Sequence, residues 1–148
     1  MTTHLPTPIL HVLLTLSLLT NLSLIPIQTQ EWQPDPNDVV MVSQTVWGEY
    51  RGEDADQRAA VVLCICNRVD DPRFPNTISE VVRQPHQFQG YSPNNPSELF
   101  EDEVRELLIL WHNGESWLDP SICWFYGDGR INHYRNAWRA EEASVVWP

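Results

Sequence analysis

Lysine is absent from the chain. The nine basic residues are all arginine, set against twenty Asp and Glu in 148 residues, for a formal charge of -11. Nucleic-acid binding draws on a basic face that displaces counterions from phosphate, so this balance argues against nucleic acid as a partner. An anionic membrane surface is disfavoured for the same reason, and a neutral or mixed-charge polymer is the better match. Cysteine is scarce: Cys64, Cys66 and Cys123. Residues two apart on a helix point to different faces, so Cys64 and Cys66 suit neither a mutual bridge nor a shared metal. Either one of them pairs with Cys123 in an oxidising compartment or all three are free core thiols, and any bridge leaves one thiol over. The chain contains no HExxH, CxxC, GxSxG or phosphate-cradling glycine loop. His86, His112 and His133 are scattered, so no metal and no cofactor is expected.

Charge is missing altogether from residues 8–27, "PILHVLLTLSLLTNLSLIPI". That apolar run is long enough to span a bilayer, and its position suits a signal peptide or an N-terminal membrane anchor over residues 1–28. Export to the cell envelope or beyond is the expectation, with cleavage left open and membrane association through this segment allowed. Residues 29–36 read as a linker, and residues 37–148 as one domain of ordinary size, expected to be a monomer.

Within that domain, "PNDVVMVSQTVWGEY" has Val39, Val42, Val46 and Tyr50 at helical spacing. Asn37 or Asp38 is the expected N-cap, and Gly52 the left-handed residue past the end. "DADQRAAVVLCICNRV" opens on Asp54 with Gln57 three residues later, close to a capping box. Residues 59–66 are apolar all round, which predicts a helix buried at the centre, with a buried strand as the alternative. Pro72 stops it. Thr77 and Glu80 have capping-box spacing in a short third helix closed by Pro85. "QPHQFQGYSPNNPS" is a long loop of the kind that often carries function. After Ser97, a stripe of Phe100, Val104, Leu107, Leu108 and Trp111 predicts a fourth helix ended by Gly114. Two short runs about Gly127-Asp128-Gly129 predict a β-hairpin. The expected class is α+β, mostly helical, with a small β element near the C-terminus.

What remains for chemistry is carboxylate. Glu49 ends a largely apolar helix beside Trp47. Partial burial raises a carboxyl pKa because the charged form loses solvation, and that keeps a glutamate protonated for use as a general acid. The alternative is a surface acid paired with Arg51 or Arg58.

The blocks "TVWGEYRGED", "QRAAVVLCICNRV" and "PRFPNTISEVVRQPHQF", in this order and spacing, resemble the SleB-type cell wall hydrolases, the spore-cortex-lytic family. "WFY" at residues 124–126 resembles the family's later aromatic strand, and "INHY" loosely resembles its closing Gly-Asn-His-aromatic signature. Tyr50 stands where the family usually has Ala, and His86 where it usually has Gly. The resemblance implies a lysozyme-like domain that cleaves the glycan strand of peptidoglycan as a lytic transglycosylase. By motif position it places the single catalytic Glu at Glu49, and it makes Glu53 a structural acid at the start of the next helix, where its charge favours the dipole. Gln87, Phe88 and Tyr126 are the candidate substrate-binding residues: Gln to bond an N-acetyl group, the aromatics to stack on a pyranose or else to serve as core. A non-catalytic glycan-binding or envelope-anchored domain of the same fold is the alternative function.

Overall fold

A computed structural model describes residues 31–147. The expected signal or anchor segment lies outside the described residues. Among those described, no helix is long and apolar enough to cross a membrane. Among the described residues, four α-helices precede a small antiparallel sheet: α1 Pro36–Glu49, α2 Ala55–Asp70, α3 Ile78–Val82, α4 Glu101–His112, β1 Trp124–Gly127, β2 Asn132–Arg135 and β3 Val146–Trp147. The strands lie in the order β1-β2-β3.

Helix α1 begins earlier than its apolar spacing indicates. Pro36 occupies the first turn, where its missing N–H costs nothing, and the carboxylate of Asp35 caps it by accepting from the Asn37 N–H at 2.8 Å. Asp35, rather than Asn37 or Asp38, is therefore the cap. The residues just before it are not free linker. The Trp32 indole stacks on the His112 ring at 4.0 Å and 7°, and Pro34 is buried. From Trp32 onward the chain belongs to the same folded unit.

The centre is α2. Asp54 caps it by accepting from the N–H groups of Asp56 and Gln57, and every residue from 59 to 68 is buried, with α1, α3 and α4 packed around it. The helix reading prevails over the strand because the cap starts a helix and packing on all sides accepts an apolar surface with no polar face. Its last turn does structural work through polar groups. The Asn67 amide donates to the carbonyls of Asp119 and Ile122, and Arg68 Nε donates to the carbonyl of Cys123 at 2.6 Å. The Arg68 guanidinium also lies over the rings of Phe74 and Phe88. These bonds fix the segment that enters β1. The three cysteines are free and buried. Burial pushes the thiols up, Cys64 to about 12 and Cys123 to about 11, so they stay protonated.

Thr77 caps α3, its hydroxyl accepting from the Glu80 N–H and donating to the Glu80 carboxylate at 2.7 Å. Helix α4 docks through Val104, Leu107 and Leu108, and the Trp111 indole N–H donates to Asp70 on α2 at 2.6 Å. Gly114 ends it at φ 76°. The hairpin forms about Asp128, with Gly129 at φ 90°. Strand β3 is not foreseen by the sequence pattern. Two residues long, it exists because Trp147 and Val146 pair with Tyr134 and Arg135.

His86 is the one non-glycine with positive φ among the described residues, at 64°. The left-handed region costs a side chain about 1–2 kcal/mol, a cost that glycine escapes. His86→Gly should stabilise the chain by about 0.5–1 kcal/mol, after the loss to unfolded-state entropy of about 0.4–1 kcal/mol. Urea unfolding of the two proteins side by side measures this; an unchanged or lower midpoint would mean that the histidine side chain makes a compensating contact.

Candidate active site

Helix α1 delivers Glu49 at its final position. The backbone then turns extended at Tyr50, so Gly52 is not the left-handed residue expected there. The Tyr50 side chain folds over Gly52 instead: a Cβ there would stand 2.4 Å from the Tyr50 hydroxyl, so a larger residue would displace that ring. The connection is held from the other side by Arg58, whose Nη1 donates to the Gly52 carbonyl at 2.8 Å while its Nε pairs with Glu103 at 2.9 Å. Arg58 is thus committed elsewhere, and no ion pair joins Glu49 to Arg51. The surface-pair reading of Glu49 is overturned.

Glu49 instead faces a groove of about 370 Å³, whose other walls are Tyr50, Arg51 and Gly52 on one side and Gly127, Gly129, Arg130, Ile131 and Asn132 on the other. The hairpin is locked against the start of α2, because Gln57 Oε1 accepts from the Asn132 N–H at 2.9 Å and the Gln57 carbonyl from the Tyr134 hydroxyl at 3.0 Å. Among the described residues, Glu49 is the only carboxylate lining the groove.

The long loop supplies the polar partner of the acid. Gly90 N–H donates to Glu49 Oε1 at 2.8 Å. Two glycines make that approach possible: a Cβ on Gly48 would meet the Gly90 carbonyl oxygen at 1.9 Å, and one on Gly90 would lie 2.4 Å from Gly48. The Asn95 amide clamps the loop by donating to the carbonyls of Gln44 and Gly90, and Gln44 returns a bond to the Pro93 carbonyl.

Burial raises the pKa of Glu49 above the ordinary carboxyl value of 4.5, and the Gly90 bond offsets this in part. Because an N–H can only donate, Oε1 accepts from Gly90, which favours the proton of the acid form on Oε2. The sign of the stability effect follows. Between 4.5 and the raised value, the unfolded chain has released a proton that the folded chain still holds, so Glu49 destabilises the fold as pH rises through that window. Below 4.5 both states are protonated and the effect vanishes. Glu49→Gln should therefore gain stability relative to the wild type as pH rises, and thermal melts at acidic and neutral pH measure the difference.

The other sequence candidates are not gathered with Glu49. Phe88 is 5% exposed, in the core against Phe125 and under Arg68, so it serves as packing and lines no part of the groove. Gln87 is half-buried, three residues before Gly90. Tyr126 is exposed and adjoins Gly127 of the groove wall, with its ring stacked on His133 at 4.9 Å and Arg135 over it at 5.0 Å. Glu53 is exposed and outside the groove. Asp128, in the hairpin turn, is occupied: it pairs with His133 at 2.8 Å and accepts from the N–H groups of Arg130 and Ile131, which hold it down at about 2. Sequence reasoning did not single out Asn132, Gly48 or Gly90. The "INHY" run and the glycines inside "WGE" and "QFQG" were the available signals. Among the described residues, no group of three or more His, Cys, Asp or Glu is placed to hold a metal ion.

A family model described as Cell Wall Hydrolase matches residues 52–146, which takes in the hairpin wall of the groove. The spore cortex-lytic enzyme of Bacillus subtilis (strain 168) is 30% identical over 105 residues, covering 64% of this chain and 34% of that protein. Those of Oceanobacillus iheyensis and Halalkalibacterium halodurans are 34% and 32% identical over 85 residues, 57% of this chain and 30% and 25% of theirs. The chain thus spans about a third or less of the length of these relatives. No solved structure matches it.

Proposed function

The chain belongs to the cell wall hydrolase family, and from that premise we propose that it cleaves the glycan strand of peptidoglycan with Glu49 as its single acid and base. The observation that carries this reading is the open groove with one carboxylate in its lining, half-buried and raised in pKa. A glycosidase that uses two carboxylates holds them about 5–5.5 Å apart when retaining and about 6.5–9.5 Å apart when inverting. With one, a nucleophile supplied by the substrate completes the reaction without a second carboxylate. Glu49 Oε2 gives its proton to the glycosidic oxygen as the bond to the muramoyl C1 breaks. The carboxylate then takes the proton of the sugar's own C6 hydroxyl, whose oxygen bonds to C1 and closes a 1,6-anhydro ring. Proton count balances, and the enzyme returns to its acid form. Tyr126 and Gln87 are proposed to contact sugar beside the groove. The substrate lies outside the cytoplasmic membrane, so the same reading carries export through the N-terminal segment.

Digestion of purified peptidoglycan in heavy-oxygen water tests the proposal. Fragments ending in 1,6-anhydro-muramoyl groups without the label support it. Labelled reducing ends would mean hydrolysis and a second catalytic group. Well-folded protein that binds strands and releases nothing would favour a binding domain.

A further inference from the structure

A second hollow, of about 250 Å³, opens between Asp56, Trp117 and Trp147. Trp147 stands on β3 opposite Tyr134, and the Trp117 ring lies 5.3 Å from it at an inclination of 51°. The two indoles pack against each other at a tilt, and Trp117 remains 45% exposed beside the hollow. Asp56 is exposed at its edge, in no ion pair among the described residues. This hollow and the Glu49 groove flank the same helix start. Gly52 lines the groove and Asp56 lines the hollow, and a chain of four residues reaches at most about 14 Å. The bonds of Gln57 to Asn132 and Tyr134 hold both against one strand.

We propose that Asp56, Trp117 and Trp147 form a second saccharide subsite, which holds a further N-acetylhexosamine unit of the strand engaged at Glu49. The proposal rests on the glycan reading given above. The face of an indole is electron-rich and attracts the C–H bonds on one side of a pyranose, while a carboxylate accepts charge-assisted hydrogen bonds from sugar hydroxyls. Convergence of aromatic walls with one polar group is the usual build of a small-molecule site. A stem-peptide ammonium is the competing occupant, since aromatic rings with a carboxylate also attract cations. Enclosing a cation takes ring faces on several sides, whereas one exposed indole beside a carboxylate suits the apolar face of a single sugar ring.

Calorimetric titration of Glu49→Gln protein with N-acetylglucosamine oligomers of increasing length provides the test. Affinity should rise with length, and Trp117→Ala or Asp56→Asn, each made in that background, should remove about tenfold of the gain at the long end, the scale of a well-packed aromatic contact. Trp117→Phe should restore part of it. Retention of the full gain by Trp117→Ala overturns the subsite, as does binding of a stem peptide at the hollow without binding of the oligomers. A parallel digestion by the wild-type chain separates the two readings. Cleavage with a length dependence indifferent to Trp117 sinks the subsite alone. Length-dependent binding that Trp117→Ala abolishes, with no cleavage, sinks the role of Glu49 and upholds the subsite.

Discussion

Glu49→Gln should release glycan fragments at least about 10²-fold more slowly than the wild-type chain, the scale of a lost general acid. The substitution is close to isosteric, and a glutamine Oε1 still accepts from Gly90 N–H as the carboxylate does at 2.8 Å. What disappears is the proton on the other oxygen and the base it leaves behind. Circular dichroism and melting should therefore report an intact fold while turnover collapses. The wild-type rate should fall as pH rises through the pKa of Glu49, since only the protonated form donates, and burial places that fall above the ordinary carboxyl range. Glu53→Gln is the matching control. Glu53 is exposed and outside the groove, so it should cost at most about 0.3–1 kcal/mol of helix-start electrostatics and keep substantial turnover. An inert Glu53→Gln beside an active Glu49→Gln would reverse the assignment.

The sequence made legible what local chemistry decides. Asp54 and the Thr77–Glu80 pair start helices through bonds within three residues, so spacing alone reveals them. The all-apolar face of α2 announces its central position for the same reason. Glu49 was legible as a residue at the end of an apolar helix, but its environment was not, because the Gly90 bond spans 41 positions of chain. Long-range pairing also hid β3, which takes its existence from Tyr134 and Arg135. Phe88 shows the limit of residue type as a guide. An aromatic in a loop motif can face sugar or core, and here Arg68 and Phe125 draw it inward. Asn67 and Arg68 of the "NRV" run proved to be ties to the segment before β1, a role that requires knowing where residues 119–123 lie.

Gly48→Ala should lose turnover and gain no stability, against the sign that helix propensity alone dictates. On an open helix the exchange gains about 0.8–1 kcal/mol, because alanine loses less backbone freedom on folding. Here the new methyl would stand 1.9 Å from the Gly90 carbonyl oxygen, far inside contact distance, and the obstacle is backbone that cannot rotate away. The loop must shift, at a cost of about 1–3 kcal/mol for overpacking, so the net change is destabilising or near zero rather than a gain. Activity should suffer more. Asn95 holds Gly90 to Gln44 of α1, so displacement of the loop disturbs that clamp and withdraws the Gly90 N–H from Glu49 together. A misplacement of about 1 Å in a positioned group can cost about 10²-fold in rate. The Gly90 bond favours the charged carboxylate and lowers the pKa of Glu49, so its loss should move the pH-dependent fall in the residual rate to higher pH. That shift separates a damaged site from a merely less stable fold, which would lower the rate at every pH in proportion to the folded fraction. Should Gly48→Ala melt higher and cleave at the wild-type rate with an unmoved pH profile, the contact between Gly48 and Gly90 would have no part in holding the acid.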